Sequence, residues 1–245
     1  ALSPSYKPMS EATLDYMLGK KKYERIGVLY QDDDYGREAL EGVEAYLKSK
    51  DIKLVEKTSY KRGATDFASQ MAKLKAANAD LVFNASTLRE YVGSVNEANK
   101  IGFKPDFVGT AANYSQQVPL LGGAGMEGVY AATFITLPST QSENPAVRQW
   151  SEEYQKRFNE EPGLYSMYAY YALSTFAKIA ERAGQDLTPE SFNAAMEATD
   201  LPVDELGNPP FDVSPDDRLS NEKIRITQIQ NGRWTTISDF IASPL

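Results

Sequence analysis

From Ile26 to Ile135 the chain alternates short apolar runs with amphipathic stretches, and this rhythm restricts the fold more than any other feature. Ile26-Gly-Val-Leu-Tyr30 reads as a buried strand, followed by a helix from Tyr35 to Leu47. Lys53 to Ser59 is strand-like, and Asp66 to Ala77 is helical with Phe67, Met71 and Leu74 on one face. Asp80 to Asn84 reads as the next strand, and Thr87-Leu-Arg-Glu90 is a capping-box sequence opening a helix that turns Val92, Val95 and Ala98 inward. Asp106 to Thr110, a short helix around Gln116 to Leu121, and a strand from Val129 to Ile135 continue the pattern. Repeated βα units of this kind predict an α/β fold, a parallel sheet with helices on both faces.

Outside this stretch the rhythm changes. Upstream, a helix carries Leu14, Met17 and Leu18 on one face, with Ser10 as N-cap and Gly19 as stop. Downstream, Asn144-Pro145 opens a helix with Val147, Trp150, Tyr154 and Phe158 on one stripe. A second helix spans Tyr165 to Ala183, and a third starts at Thr188-Pro189 and runs to Ala198. A loop rich in Pro and Asp leads to two strand-like runs, Lys223 to Gln230 and Trp234 to Ser238, joined by the hairpin signal Asn231-Gly232. The three later helices have no sheet of their own to cover.

Composition narrows the function. With 42% hydrophobic and 24% charged residues the chain is globular in character. The net charge of −8 disfavours DNA or RNA as a partner, because phosphates call for clustered Lys and Arg. The one dense basic run, Lys20-Lys21-Lys22, lies at a helix end, where cations suit the helix dipole. There is no Cys and no His, which removes thiolate chemistry, disulfides, the commonest general base and the commonest transition-metal ligand.

Three motifs invite chemistry and each has a simpler reading. Gly123-Ala-Gly125-Met-Glu-Gly128 matches GxGxxG, but a helix precedes it and a strand comes after, the reverse of a dinucleotide site. Asp32-Asp33-Asp34 offers oxygen ligands, yet it lies where a helix needs its cap. Asn84-Ala-Ser86 and Asn113-Tyr-Ser115 are glycosylation sequons, short enough to arise by chance. More informative are the residues just past the strand ends: Tyr35, Asn84 to Thr87, and Thr110 to Asn113. They supply hydroxyls, amides and a ring but no nucleophile–base pair, an inventory suited to binding.

Several segments, in order and across nearly the whole chain, resemble the type I periplasmic binding proteins of the Leu/Ile/Val-binding family. They are Val28-Leu-Tyr-Gln-Asp-Asp-Asp-Tyr35-Gly36, Gly63-Ala-Thr-Asp66-Phe67, Leu74 to Asp80, Ala98-Asn-Lys-Ile-Gly102, Gly122 to Gly128, Asn144-Pro145-Ala146-Val147, and Tyr165 to Ala172. The resemblance implies two lobes joined by three crossings, with ligand held in the cleft between them. It assigns residues 1–22 to a hinge-entry helix from the first lobe, 23–136 to a complete second lobe, 137–200 to C-terminal helices of the first lobe, and 201–245 to a return crossing and terminal strands. The first lobe is then incomplete, and an N-terminal segment of the same protein is expected to supply the rest.

By the same resemblance Tyr35, Asn84, Ser86, Thr110, Ala111, Tyr165, Met167 and Tyr168 are the ligand-binding residues. Ala111 falls where amino-acid binders of the family carry an acid that pairs with the ligand ammonium, so the expected solute is a carboxylate, aromatic or not, or an amide, with an α-amino acid less suited. The implied role is that of an extracytoplasmic component of an ABC transporter, monomeric, with its leader removed and a membrane permease as partner. It would be periplasmic, or membrane-tethered in a Gram-positive host, and would have no cofactor, no metal and no catalytic residue. Two rivals remain from other classes: a cytoplasmic ligand-sensing regulator with the same lobes, and a nucleotide-dependent α/β enzyme resting on the glycine motif.

Overall fold

The computed structural model describes residues 2–245. Its parallel strands are β1 (Ile26–Gln31), β2 (Leu54–Tyr60), β3 (Leu81–Ala85), β4 (Asp106–Gly109) and β5 (Tyr130–Thr133). The intervening helices are α2 (Asp34–Ser49), α3 (Ala68–Ala76), α4 (Leu88–Lys100) and α5 (Gln117–Gly122), with α1 (Tyr6–Lys20) ahead of them. Downstream lie α6 (Pro145–Phe158), α7 (Leu164–Ala183), α8 (Pro189–Glu197), β6 (Arg225–Gln230) and β7 (Arg233–Thr236). The seven strands form one sheet in the order β2-β1-β3-β4-β5-β6-β7, parallel through β5 and antiparallel at β6 and β7.

The chain divides into two compact units. One comprises Ser5–Thr133 with Lys223–Leu245, and the other comprises residues 2–4 with Phe134–Glu222. Two expected boundaries therefore move. The helix within residues 1–22 belongs with the sheet, because α1 packs along α2: a Cβ on Gly42 would stand 2.3 Å from the Lys7 carbonyl oxygen, so only glycine permits that approach. Residues 201–222 belong with the helices, tied by the Leu201–Phe211 bridge and by Phe211 and Val213 packing on Ile179.

In the sheet unit β3 lies inside the sheet between β1 and β4 and is buried throughout, as expected for a strand flanked by neighbours and covered on both faces. Leu29 and Val82 face α3 and α4 in a core with Met71, Leu74, Tyr91 and Val95, while Ile26 and Val28 are buried toward the other face. Each such aliphatic side chain contributes about 1.5–3 kcal/mol on burial. The hairpin between β6 and β7 turns on Asn231 (φ 54°) and Gly232 (φ 73°), the two left-handed residues its sequence announced.

In the helical unit, Met167, Tyr171, Thr175 and Ile179 form the buried stripe of α7 at four-residue spacing. Val147 of α6 joins Met167 and Tyr171 in one cluster. Yet α7 also exposes Tyr165, Tyr170, Leu173 and Phe176, so it is apolar on more faces than this unit covers.

Two caps differ from expectation. Ser10 lies inside α1 rather than at its start, its hydroxyl donating to the Tyr6 carbonyl (2.7 Å). The N-cap is Ser5, since Pro8 fits within a first turn. At α4 the Thr87 hydroxyl donates to the Glu90 carboxylate itself instead of each capping the backbone, and Glu90 accepts a second bond from the Gly63 amide (3.2 Å).

Candidate ligand-binding site

The carboxyl ends of β1, β3 and β4 lie side by side in the sheet, which gathers the loops and helix starts beyond them at one place. After β1, Asp33 caps α2 through the Gly36 amide (3.2 Å), and Asp32 pairs with Arg37 (2.7 Å) and Lys61. The acidic triplet is thus a helix start, and no group of three or more acidic residues able to hold a metal occurs among the described residues. Gly36 sits so close beneath β1 that a Cβ there would be 1.9 Å from the Gln31 carbonyl oxygen. That approach swings the next turn of α2 in over the strand ends and brings Tyr35 with it.

The Tyr35 hydroxyl donates to the Ser86 carbonyl (3.0 Å) and lies 2.7 Å from Thr110 Oγ1. A phenol has one hydrogen, so the Thr110 hydroxyl must donate back to Tyr35. Asn113 closes the arrangement: its Nδ2 donates to the Ser86 carbonyl (2.7 Å) and its Oδ1 accepts from the Thr110 amide (3.0 Å). Thr110 Oγ1 also accepts from the Ala112 amide (3.3 Å), starting a short 3-10 turn over Ala111–Asn113. Burial pushes the Tyr35 phenol well above its ordinary pKa, keeping it a neutral donor.

Asn84 sits at the same end of β3 and is wholly buried. Its Nδ2 donates to Ser94 Oγ (2.9 Å), and the Ser94 hydroxyl spends its hydrogen on the Tyr91 carbonyl (3.0 Å). That fixes the amide orientation and leaves Asn84 Oδ1 as a buried acceptor without a partner among the described residues. The Tyr6 ring meets Tyr35 edge-on at 4.5 Å, and Met9 Sδ accepts from the Ala111 amide (3.4 Å). Both come from α1, so that helix helps build the site.

The structure thus brings Tyr35, Ser86 and Thr110 into one hydrogen-bonded group, with Ala111 beside Thr110 and Asn84 at the neighbouring position of β3. The remaining three residues belong to α7 in the helical unit. There Tyr165 is exposed, Met167 is buried with Sδ accepting from Asn208 Nδ2 (3.4 Å), and Tyr168 is half-buried against Phe134 (5.6 Å). Tyr6 and Met9 were not singled out from sequence, and Asn113 was named within the strand-end run Thr110 to Asn113 but not among the ligand-binding residues. Thr110-Ala-Ala-Asn113 does carry a signal, a Thr and an Asn at capping-box spacing. Both sequon asparagines, Asn84 and Asn113, are fully buried and engaged, so neither is a glycan acceptor in the folded chain. The glycine motif lies in a tight turn between α5 and β5, with no helix opening after it for a pyrophosphate.

An open, mostly parallel sheet whose strand ends present neutral hydroxyls and amides defines a small-molecule binding fold. The chain belongs to the Periplasmic binding protein family, which it matches over residues 1–233. That family consists of extracytoplasmic solute-binding proteins, not enzymes. A Leu/Ile/Val-binding protein homolog 8 from Brucella abortus is 26% identical over 212 residues, covering 82% of this chain and 52% of the relative. The chain therefore spans about half the length of the curated relatives it matches. Among solved structures, a branched-chain amino acid ABC transporter protein from Thermus thermophilus with bound valine superposes with a TM-score of 0.83 at 18% identity, over 99% of this chain and 67% of that one. A fatty acid ABC transporter substrate-binding protein from Thermomonospora curvata gives 0.82 at 22%, over 98% and 63%. At these identities the likeness speaks for the type I fold alone.

Proposed function

We propose that the chain is the larger part of a solute-binding component of an ABC transporter, with Tyr35, Asn84, Ser86, Thr110 and Ala111 on the ligand side of the sheet unit and Tyr165, Met167 and Tyr168 contributed by α7. The observation that carries the reading is the Tyr35–Ser86–Thr110–Asn113 group at the strand ends, polar, without a net charge, and buried except for the half-buried Tyr35. Such a surface hydrogen-bonds a solute without asking it for an ammonium. Ala111 strengthens this, since a buried ammonium needs a carboxylate beside it and Ala111 supplies none. A carboxylate or an amide is the favoured solute, in keeping with the fatty acid binder among the structural neighbours and in contrast with the valine-bound one. Further sheet-forming segments of the same protein cover the apolar faces that α7 exposes, and a membrane permease receives the loaded form.

A thermal-shift panel on the full-length protein tests this. It holds leucine, isoleucine and valine, aliphatic and aromatic carboxylates, and small amides. A true solute at about a hundred times its Kd adds roughly 2.7 kcal/mol to stability. Shifts with carboxylates or amides alone support the assignment. A shift with the branched-chain amino acids keeps the transport role and overturns the argument from Ala111. No shift across the panel sinks both.

A further inference from the structure

The end of the sheet unit opposite the strand carboxyl ends has a different chemistry. Because the strands are parallel, α1 to α4 all finish there, and their last turns carry Lys20, Lys48, Lys73, Lys75 and Lys100. The loops that lead into β1, β2 and β4 add Lys21, Lys22, Arg25, Lys53 and Lys104. All ten are exposed in a chain whose net charge is −8. Lys50, paired with Asp15 (3.8 Å), and Arg233 and Glu127 at the β6–β7 turn also lie here and offset one another in number. Five further carboxylates share this end: Glu24, Asp51, Asp80, Glu97 and Asp106. The four helix termini add about half a negative charge each, which leaves an excess of about three positive charges. Dipole compensation therefore accounts for part of the cluster and not the whole.

Three of the ten form ion pairs: Lys21 with Asp106 (2.9 Å), Lys22 with Glu24 (2.8 Å) and Lys100 with Glu97 (2.9 Å). Arg25 and Lys75 bond to backbone carbonyls and keep their charge unopposed. Lys48, Lys53, Lys73 and Lys104 have no ion pair among the described residues. Lys21, Lys75 and Lys104 also line one shallow groove of about 420 Å³, together with Asp80 and Asp106.

We propose that this end docks on an anionic phospholipid surface. Nine of the ten cations are lysines, compact point charges on flexible stems that suit a layer of mobile headgroups, whereas a built phosphate site favours the bidentate arginine fork. The turns that carry these lysines expose no large apolar side chain, and Leu120 and Leu121 in the last turn of α5 form an exposed apolar pair at the same end, of a size suited to shallow insertion among lipids. The docking is independent of which solute the other end binds.

The test is co-sedimentation of the full-length protein with vesicles of phosphatidylcholine, alone or mixed with phosphatidylglycerol. Binding to the mixed vesicles, lost at high salt, is the expected result. Each lysine near such a surface is worth about fivefold in affinity, so Lys48→Gln, Lys73→Gln and Lys104→Gln together weaken binding about a hundredfold. All three side chains are exposed and unpaired, so folding is retained and checked by circular dichroism. A matched triple elsewhere, Arg62→Gln, Lys156→Gln and Lys178→Gln, carries the same charge change and leaves binding within about threefold. Equal binding to neutral vesicles, equal loss in both triples, or no binding to mixed vesicles overturns the proposal. Displacement by millimolar inorganic phosphate at constant ionic strength also overturns it, by revealing a discrete phosphate site.

Discussion

Replacing Asn113 by Asp changes one atom type in the bracket that joins the ends of β3 and β4. The wild-type amide donates to the Ser86 carbonyl and accepts from the Thr110 amide, and Asn113 is wholly buried. A protonated aspartic acid reproduces both bonds, since its hydroxyl donates and its carbonyl oxygen accepts. An ionised one places a buried negative charge against the Ser86 carbonyl. Burial and that contact both favour the neutral form, so the folded-state pKa of the new carboxyl rises above the unfolded value of about 3.9. Taking a rise of about 2 units, the variant loses about 0.5 kcal/mol relative to wild type at pH 4 and about 2.7 kcal/mol at pH 7. The sign comes from linkage: the folded state holds the proton more tightly, so the deficit opens as pH climbs through the unfolded pKa and levels off above the folded one. Urea unfolding of both proteins at pH 4, 5 and 7, monitored by circular dichroism, reads the difference directly. A deficit that is the same at all three pH values refutes the two-bond account of Asn113, and so does one below about 0.5 kcal/mol at pH 7.

Gly36→Ala drives a Cβ into the Gln31 backbone at 1.9 Å, which only a shift of α2 relieves, so a loss of about 3 kcal/mol or more in chemical denaturation is expected. Ligand affinity falls with it, because Tyr35 moves with that turn, whereas Gly63→Ala nearby has open space around its Cβ and loses only the milder strain of its positive φ. With no histidine in the chain, thermal stability stays nearly flat from about pH 6 to pH 9. Above about pH 10 it falls, since burial raises the phenols of Tyr35 and Tyr91 well above their ordinary value and the unfolded chain releases those protons first. Each contributes a slope of about 1.4 kcal/mol per pH unit, and a melting temperature level through about pH 11 contradicts this.

The sheet unit was legible because its information is local. Strand runs such as Ile26 to Tyr30 and helix faces such as Phe67, Met71 and Leu74 repeat at their own periods, and Asn231-Gly232 specifies its turn without help from the rest of the chain. The site was legible only as a neighbourhood. That ligands gather at strand ends is a consequence of topology, so Tyr35, Ser86 and Thr110 could be named together. That Asn113 reaches the Ser86 carbonyl depends on β3 and β4 being neighbours in register, which no spacing of 27 residues encodes. The affiliation of α1 was hidden for a related reason: apolar residues such as Leu14 and Met17 say that the helix is covered, not by what, and it is buried on several sides from Met9 to Leu14. The loop from residue 201 to 222 carries almost no period at all, and its place beside α7 and α8 rests on single anchors such as Phe211 and Val213.

The antiparallel closure of the sheet also sets a timetable. β5 ends at Thr133, but the strand that pairs with its free edge begins only at Arg225, and the whole helical unit is translated in between. At ribosomal rates that interval is on the order of ten seconds, long compared with the microseconds in which a hairpin forms. Throughout it the backbone donors and acceptors along β5 stay open, and the nascent sheet cannot reach its final cooperativity. β6 and β7 are therefore the last strands to join, and the sheet gains its closing edge only when Arg225 to Thr236 have been made.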